Sequence, residues 1–394
     1  MAIDPDALAR DTAALVTVPS VTGDERAVLE RLGELAAALG LEAALHRHDL
    51  AALRADPGHP GEEAPRDELW GLTVTAPGPA GGPRLCLNGH LDVVPPGLEE
   101  WSRGPWSGHV ADGLVHGRGS VDMKGGVVAA LHAMAGARDG AECEVVLMAV
   151  ASEEDGGQGT FAALEADSRF DACLVTEPTG LDVVCSQGGS LTFEGVVAGR
   201  GAHAGMRLEG DSAIDRYVEA HQALAAHERE VNRDVGDPLM AALELAYPIS
   251  VGRVAGGDWA SSVPDRVEFS GRLGVPVGQD LESARAGLRE AVAGLPVELR
   301  FTGGVFAPAA TDPAHPFARL ALDSFPGARA VGVPWGADMR LFTARGIPTV
   351  MAGPGNAHLA HAVDERVPVA DLVAVAEGIE RVIARFPATI AQRG

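Results

Sequence analysis

The chain has 394 residues, enough for two domains with separate cores, and its 46% hydrophobic and 22% charged residues are an ordinary globular composition. A formal net charge of −24 argues against binding to nucleic acid or to an anionic membrane surface. No apolar run approaches the roughly 18 residues needed to cross a bilayer, and residues 1–6 lack the features of a signal peptide. We therefore expect a cytoplasmic protein.

Residues 8–39 have the apolar spacing of an amphipathic helix, broken near Pro19 and Gly23. Residues 51–68 are polar and contain proline and glycine, which predicts a loop. Apolar runs typical of buried parallel strands follow at 84–88, 144–152, 171–176 and 347–353. A helix is predicted over 127–137, between the first two strands. This alternation predicts an α/β fold with a mostly parallel sheet.

Residues 190–303 follow a different pattern, strand-helix-strand-strand-helix-strand, which is the split ferredoxin-like order. The predicted elements are 190–198, 212–232, 248–254, 266–273, 281–292 and 297–302. Because the α/β pattern resumes afterwards, we expect a second domain inserted into the first. The predicted boundaries are 1–187 and 307–394 for the main domain and 188–306 for the inserted domain.

Two features of composition concern single residue types. Four cysteines stand singly in apolar, strand-like segments, which is typical of buried thiols rather than of disulfides or metal ligands: Cys86, Cys143, Cys173 and Cys185. Lys124 is the only lysine, and all other strongly basic side chains are arginines. Its place beside Asp122 indicates a local requirement, with chance retention as the alternative.

Five short patches contain acidic residues or histidine, and they lie at 89–92, 122–126, 153–155, 177–178 and 361–365. Three of them follow predicted strands, and open α/β sheets bind ligands beyond the carboxyl ends of their strands. Imidazole and carboxylate groups without thiolate suit a hydrolytic two-metal centre, where one carboxylate bridges the metals and another handles a proton. The patches therefore predict a dinuclear zinc hydrolase. Solvated charge at loop tips, the alternative, would explain one or two patches but not all five.

The patches read GHLDVVP, GRGSVDMKGG, SEEDGGQGT, TEPT and HAVDE. In this order they resemble the acetylornithine deacetylase, succinyl-diaminopimelate desuccinylase and carboxypeptidase G family of dinuclear zinc amidohydrolases, over about residues 10 to 385. The resemblance implies a zinc-hydrolase catalytic domain with an inserted ferredoxin-like α+β lid and dimerisation domain. It also implies a homodimer with two Zn²⁺ per subunit, for which Co²⁺ is a possible substitute.

The same resemblance implies which side chains bind the metals. His90 and Glu177 would bind one metal ion, and Glu154 and His361 would bind the other. Asp122 would bridge the two ions. The family also holds the peptide bond after this aspartate in the cis form.

Two further carboxylates would act beside the ligands. The resemblance makes Asp92 the carboxylate that orients the imidazole of His90. Glu153 is left as the general base. Adjacent residues on an extended segment point in opposite directions, so Glu154 can face a metal while Glu153 faces the water.

His203 lies in the glycine-rich segment 199–205 of the inserted domain. A surface histidine in a turn is the plain interpretation of this position. The resemblance instead implies that His203 reaches into the active site of the partner subunit and stabilises the oxyanion of the reaction. His358 precedes His361 by three residues, but the Asp-Glu pair that follows matches the family pattern only from His361, so His358 is expected to be a loop residue.

A bidentate arginine is the natural partner for a substrate carboxylate. The resemblance points to Arg272 and Arg340 for this role, with Arg253 and Arg207 as alternatives. Glycine and alanine at 336–337 replace the hydroxyl residues that the family usually carries there. This departure leaves the specificity for the acyl group and the amine open.

We therefore expect a metal-dependent amidohydrolase that removes a small acyl group from an N-acyl amino acid or related amine, as acetylornithine deacetylase does. A dipeptidase or carboxypeptidase of the same family is the first alternative, because its chemistry would be identical and only the pocket would differ. A catalytically inactive relative that binds an amino acid as a regulator is the alternative from another class. Such a protein would be expected to lack Glu153 or a ligand, and the sequence lacks neither.

Overall fold

The computed structural model describes residues 3–138, 140 and 142–391. It divides into two compact units. The first is assembled from three segments, Met1–Cys185, Ala310–Val331 and Ala337–Gly394. The second consists of Ser186–Ala309 with the short segment Gly332–Gly336. The second unit is thus inserted into the chain of the first.

Helices and strands alternate through much of the chain. The helices are α1 (Pro5–Val16), α2 (Arg26–Ala38), α3 (Leu50–Ala55), α4 (Gly125–Ala137), α5 (Gln158–Ala166), α6 (Ala213–Val231), α7 (Leu281–Ala291), α8 (Pro316–Ser324), α9 (Met339–Thr343) and α10 (Val369–Ala391). The strands are β1 (Glu42–His48), β2 (Leu69–Ala76), β3 (Arg84–His90), β4 (His109–Ala111), β5 (Leu114–His116), β6 (Glu144–Val150), β7 (Ala172–Val175), β8 (Val183–Gln187), β9 (Gly189–Ala198), β10 (Ala202–His203), β11 (Ile249–Gly256), β12 (Ser262–Val263), β13 (Arg266–Val275), β14 (Val297–Phe306), β15 (Ala309–Ala310), β16 (Ala330–Val333), β17 (Thr349–Met351) and β18 (Arg366–Pro368).

The predicted N-terminal helix is two helices, α1 and α2, with the expected break between them. The prediction of a loop over 51–68 is wrong in its first residues, because α3 occupies them. The side chain of Asp49 caps this helix by accepting the N–H of Ala52 at 3.1 Å, and Leu50 packs into a small apolar cluster with Leu69. The cap and this apolar cluster stabilise a short helix where the sequence predicted a loop.

The large sheet of the first unit is parallel at its centre. Strands β6, β3, β7 and β17 lie side by side and pair in parallel, while β1, β2 and β8 add antiparallel pairs toward the edges. The central strands are buried almost throughout, which explains why their sequences are continuous apolar runs rather than alternating ones. The predicted α/β class with a mostly parallel sheet is confirmed.

The second unit contains a four-stranded antiparallel sheet in the order β11-β13-β9-β14. With α6 and α7 this is the split ferredoxin-like arrangement predicted from the sequence. Strand β9 alternates between buried and more exposed positions, and its buried side chains share one apolar core with both helices. Strand β14 continues to Phe306, past the predicted end at 302, with a register shift between Thr302 and Val305.

The four cysteines are buried free thiols, as predicted. In the described part of the chain, no helix is both long enough and apolar enough to cross a membrane.

Candidate metal centre

Three of the five patches lie at the carboxyl ends of adjacent parallel strands. His90 is the last residue of β3, Glu153 and Glu154 come shortly after β6, and Glu177 comes shortly after β7. Strand β3 pairs in parallel with both β6 and β7, so the three ends meet at one edge of the sheet. The order of the strands therefore brings together side chains that are far apart in the sequence.

Asp122 lies between two imidazoles in the turn that precedes α4. Its Oδ1 is 3.1 Å from Nε2 of His90, and its Oδ2 is 3.4 Å from Nε2 of His361. The carboxylate is nearly buried, with 13% of the side chain exposed. One oxygen thus faces each ring, which is the geometry required of a bridging ligand.

The remaining two predicted ligands complete the cluster. Oε2 of Glu154 is 3.1 Å from Nε2 of His361, and Oε1 of Glu177 is 3.9 Å from Nε2 of His90. Donor atoms of His90, Asp122 and Glu154 lie within 4.8 Å of one another. All five predicted ligand residues are therefore neighbours, and their coordination of a metal stays a prediction.

A hydrogen bond of Nδ1, the ring nitrogen that faces away from Asp122, sets the orientation of the His90 ring. Nδ1 lies 2.9 Å from the backbone carbonyl oxygen of Asp92, which can only accept a hydrogen bond. The neutral ring must then carry its proton on Nδ1, so that the lone pair of Nε2 points toward Asp122. This is the tautomer that a metal ligand needs.

The carboxylate of Asp92 lies closer to the backbone of the glutamate pair than to the ring of His90, and its predicted role in orienting that ring stays a prediction. Its Oδ1 is 3.5 Å from Nδ1 of His90, farther than the carbonyl oxygen of the same residue. The two carboxylate oxygens instead accept the backbone N–H groups of Glu153 and Glu154, each at 3.1 Å. The hydroxyl of Thr22 donates a further hydrogen bond to Oδ2 at 3.1 Å. Asp92 thus orients the ring through its main chain and fixes the glutamate pair through its side chain.

Glu153 is buried in this cluster and differs from the ligands in its contacts. Its Oε1 is buried and has no hydrogen-bond partner among the residues that the structure describes. Burial raises the pKa of Glu153 well above its usual value, and the nearby charge of Asp338 raises it further. A carboxylate with a free oxygen and a raised pKa is suited to accept a proton from water.

The other ionisable groups show that the cluster holds concentrated negative charge. Burial raises the pKa of Glu177 well above its usual value and also raises that of Glu154, and in both cases the charge of Asp122 adds to the effect. Hydrogen bonds to Asp122 and Glu154 raise the pKa of His361 to about 10. Crowded, desolvated carboxylates together with two imidazoles form a donor set that fits divalent cations.

The turn that holds Asp122 depends on residues that the sequence analysis did not single out. Glu365 is completely buried, and its Oε1 accepts the N–H groups of Val121 at 2.9 Å and Asp122 at 3.1 Å. Arg118 donates to Oε2 of Glu365 at 2.7 Å. Glu365 belongs to the patch HAVDE, so the sequence marks it as an acidic residue of interest. The sequence does not show that its carboxylate binds the backbone of Val121 and Asp122. The peptide bond between Asp122 and Met123 is cis, as the resemblance implied.

Lys124, the only lysine, is completely buried next to this turn. Its Nζ donates to the carbonyl oxygens of Leu15 at 3.1 Å and Val18 at 2.9 Å, and it lies 5.8 Å from the centre of the Trp106 ring. The side chain therefore ties the end of α1 to the turn of Asp122. This gives the local requirement that the composition indicated.

Arg340, predicted to bind substrate, lies in the interior of the first unit with 3% of its side chain exposed. It donates to the carbonyl oxygens of Gly156 at 2.5 Å and Ala337 at 3.0 Å, and it forms an ion pair with Asp338 at 3.3 Å. These contacts hold the backbone next to the glutamate pair. Asp338 is a further buried carboxylate near Glu153. It was not predicted as a site residue, although it lies two positions before Arg340 in the same family motif.

The remaining predicted site residues belong to the second unit. His203 is exposed, and its Nδ1 accepts the N–H of Gly205 at 3.1 Å, which leaves Nε2 as the protonated nitrogen of the neutral ring. Arg272 on β13 donates to the hydroxyl of Thr192 at 3.0 Å and lies 5.8 Å from the ring centre of Phe306. Their roles stay predictions. His358 of the first unit, expected to be a loop residue, lies instead in a one-turn 3-10 helix over Ala357–Leu359, which the side chain of Asn356 caps by accepting the N–H of His358 at 2.9 Å. That His358 does not bind a metal stays a prediction.

Known proteins resemble this chain in sequence and in fold. A succinyl-diaminopimelate desuccinylase of Rhodospirillum centenum is 33% identical over 65% of this chain, and the match spans 64% of that enzyme, less than two thirds of its length. An M20 family metallo-carboxypeptidase from Sulfolobus solfataricus has the same fold, with a TM-score of 0.75 at 18% identity over 97% of this chain and 99% of that one. The YxeP protein of Bacillus subtilis, a dinuclear metal-binding peptidase, aligns with a TM-score of 0.64 at 16% identity over 98% and 99% of the two chains.

The model of peptidase family M20/M25/M40 matches residues 86–385, which is most of the chain. This range contains all five patches of the cluster around Asp122. The resemblance to the acetylornithine deacetylase, succinyl-diaminopimelate desuccinylase and carboxypeptidase G group is thereby confirmed. Since the match extends over both units and the whole cluster, the chain belongs to peptidase family M20/M25/M40.

Proposed function

We propose that this protein is a hydrolase that uses two divalent metal ions, with zinc as the native metal and cobalt as a possible substitute, to remove a small acyl group from an N-acyl amino acid or related amine. The observation that carries the proposal is the position of Asp122, which presents one carboxylate oxygen to His90 and the other to His361. Glu177 would complete the first metal site and Glu154 the second. Only nitrogen and oxygen donors are present in this set, which suits zinc in a hydrolytic site.

Glu153 would act as the general base. When bound, the metal ions would lower the pKa of a water molecule and polarise the carbonyl of the scissile amide. Glu153 would accept the proton of this water on the buried oxygen that lacks a partner in the described structure, and it would then pass the proton to the departing amine. Asp92 would support both proton transfer and metal binding. Its side chain holds the backbone of Glu153, and its carbonyl oxygen fixes the tautomer of His90.

The second unit would act as a lid and as the dimerisation domain. His203 would reach the active site of a partner subunit, where its outward Nε2–H would stabilise the oxyanion. A homodimer is supported by large apolar side chains on the surface of this unit, such as Ile214 and Val218 on α6, which are 45% and 48% exposed, and Trp259, which is 73% exposed. We also infer that the homodimer is cytoplasmic and binds neither nucleic acid nor membranes.

The substrate would be a small molecule with at least one carboxylate. Arg272 is exposed on β13, and its guanidinium could engage such a group. Arg340 would support substrate binding indirectly, because it donates hydrogen bonds to the carbonyl oxygens of Gly156 and Ala337 and so holds the backbone beside the site. The likeness to a succinyl-diaminopimelate desuccinylase favours an N-succinyl amino acid as a second candidate beside an N-acetyl one.

A hydrolysis screen tests the proposal. The chelator-treated protein would be reloaded with zinc or cobalt and assayed with N-acetylornithine, N-succinyl-diaminopimelate and a panel of dipeptides. We expect release of acetate or succinate, loss of activity after chelation, and about two equivalents of metal per chain at full activity. Glu153→Gln serves as the matched control, because it removes the base and leaves the ligands. Hydrolysis of dipeptides alone would identify a peptidase, and hydrolysis of none of these amides by metal-loaded protein would overturn the proposal.

A further inference from the structure

The loop that carries Glu153 and Glu154 has an irregular backbone. We define the catalytic loop as residues 152–157, which join β6 to α5. Ser152 has φ +64°, a conformation that residues other than glycine seldom adopt, and Gly157 has φ +81°. Backbone hydrogen bonds from Gly156 to the carbonyl oxygen of Glu153 at 3.1 Å and from Gly157 to that of Ser152 at 2.6 Å close the loop on itself. Side chains are then needed to attach the loop to the rest of the unit.

Asp155 is the side chain within the loop that performs this task. Its carboxylate is 5% exposed and accepts a hydrogen bond from the hydroxyl of Ser152. It also accepts the backbone N–H groups of Glu63 at 3.3 Å and Ala64 at 2.9 Å. These two residues belong to segment 56–68, the connection between α3 and β2. A buried carboxylate thus fastens the catalytic loop to a segment remote in sequence.

Arg66 supplies positive charge to this carboxylate. Its side chain is fully buried, and Nη2 lies 3.4 Å from both oxygens of Asp155. The other branch of the guanidinium, Nη1, donates to Oε1 of Glu25 at 3.1 Å. The planar fork of arginine allows one side chain to serve two carboxylates at once.

Glu25 connects Arg66 to the segment that contacts Asp92. Oε1 of Glu25 accepts the N–H of Gly23 at 2.6 Å, and the adjacent Thr22 donates to Asp92, which fixes the backbone of the glutamate pair. Burial and the charge of Asp92 raise the pKa of Glu25 to about 7. Arg66 therefore lies between two buried carboxylates and contacts both Glu25 and Asp155.

We propose that Arg66 is a positioning residue, which holds the catalytic loop through Asp155 so that Glu153 and Glu154 keep their places. The proposal rests on the function proposed above for these two glutamates. Arg66 contacts neither of them and acts only through its neighbours. Partners of this kind around a metal site typically change activity or metal affinity by about 10–100-fold.

Two variants test whether the contacts of Arg66 hold the catalytic loop. Glu25→Gln keeps an acceptor for Arg66 and for Gly23, and serves as the matched control. The double variant Glu25→Gln/Arg66→Met removes the contact between Arg66 and Asp155. It removes one negative and one positive charge, so the summed formal charge at positions 25, 66 and 155 is the same as in the native protein. Removing Arg66 alone would leave two buried carboxylates without a cation and could prevent folding.

Both variants would be assayed as metal-loaded protein, with kcat, KM, bound metal and amide hydrogen exchange at Glu153 and Glu154 as readouts. The control should keep its kcat within about twofold, while the double variant should lose about 10–100-fold in kcat with little change in KM. The exchange of both amides should also become faster in the double variant, because the loop opens more often. A purely structural role would lower the unfolding temperature without this specific loss in kcat.

A folded double variant with native kcat and native exchange at Glu153 and Glu154 would overturn the proposal. If the double variant does not fold, Arg66→Lys in the Glu25→Gln background replaces it, since lysine keeps the charge but loses the fork. It should show a smaller loss in kcat and a smaller rise in exchange, and native values of both would contradict the proposal. If the native protein hydrolyses none of the amides tested, the proposed function fails, and the exchange measurement alone decides the role of Arg66.

Discussion

Oδ1 of Asp92 accepts the backbone N–H of Glu153 at 3.1 Å. The carbonyl oxygen of the same aspartate lies 2.9 Å from Nδ1 of His90. One residue therefore sets both the orientation of a proposed metal ligand and the position of the proposed base. Because Glu154 donates to the second carboxylate oxygen at 3.1 Å, the backbone of both adjacent glutamates is fixed from one point. The structure thus allows two neighbouring side chains to have different tasks.

Replacing the two glutamates separately should give different losses. Glu153→Gln should keep the metal content and lower kcat by about 10²–10⁴-fold, because general base catalysis contributes about that much. Glu154→Gln should instead lower the metal content, since it removes an oxygen 3.1 Å from Nε2 of His361. Elemental analysis and steady-state kinetics on the same preparations check both expectations. Exchanged phenotypes would show that the roles of the pair had been assigned the wrong way round.

The convergence of the patches could be predicted because it follows from a simple rule. His90 and Glu177 sit at the carboxyl ends of parallel strands, and such ends meet wherever the strands are neighbours. The alternation of strands and helices was enough to predict those strands. The inserted unit was equally predictable, because its helices and strands have clear apolar periods.

The supporting contacts could not be predicted in this way. Arg66 lies 89 positions before Asp155, and Glu365 lies 243 positions after Asp122, so only the folded chain shows that they pair. No period or spacing in the sequence connects such residues. The interior position of Arg340 is similar, because an arginine in a family motif does not reveal whether it faces substrate or the backbone beside it.

His48 predicts how stability depends on pH. Burial and, to a smaller extent, the charge of the neighbouring His46 lower the pKa of His48 to about 4. Its Nε2 is buried without a hydrogen-bond partner in the described part of the chain, so protonation would add a donor with nowhere to bond. In the unfolded chain the pKa is about 6.5. The stabilisation is therefore complete above about pH 6.5 and decreases as the pH falls toward 4.

The measurement compares the free energy of unfolding of the native protein and His48→Gln at pH 7.5 and 5. Chelator-treated protein should be used, so that metal loss at low pH does not contribute. Between these pH values the native protein should lose about 1–2 kcal/mol relative to the variant. His46→Gln, which removes the like charge but not the burial of His48, should reduce this dependence only slightly. An equal pH dependence of the native protein and His48→Gln would contradict the assignment.

Lys124 offers a chemical test of the burial seen in the structure. Its Nζ is enclosed and donates to the carbonyl oxygens of Leu15 and Val18, so an amine-reactive ester should not modify it in the native protein. Unfolding in denaturant should expose the amine and allow its modification, and the modified side chain is readily located because the chain has no other lysine. Peptide mass spectrometry checks this. Rapid modification of Lys124 under native conditions would show that the tie between α1 and the turn of Asp122 opens readily.

The proposed role of His203 predicts complementation between inactive subunits. His203→Ala should lower kcat strongly and leave the bound metal unchanged, because a donor to the oxyanion acts mainly in the transition state. Glu153→Ala should be inactive for a different reason, the loss of the base. In a heterodimer of the two variants, one active site would receive an intact Glu153 from its own chain and an intact His203 from the partner.

Mixing the two variants under conditions that exchange subunits should therefore restore activity. At equal concentrations about half of the dimers would be heterodimers, each with one intact site, so about a quarter of the native activity is expected if subunits pair at random. A mixture of His203→Ala with His203→Asn, which lacks the imidazole in every subunit, is the control and should remain inactive. If the test mixture stays as inactive as its parents while labelled subunits are seen to exchange, His203 does not act across a subunit interface.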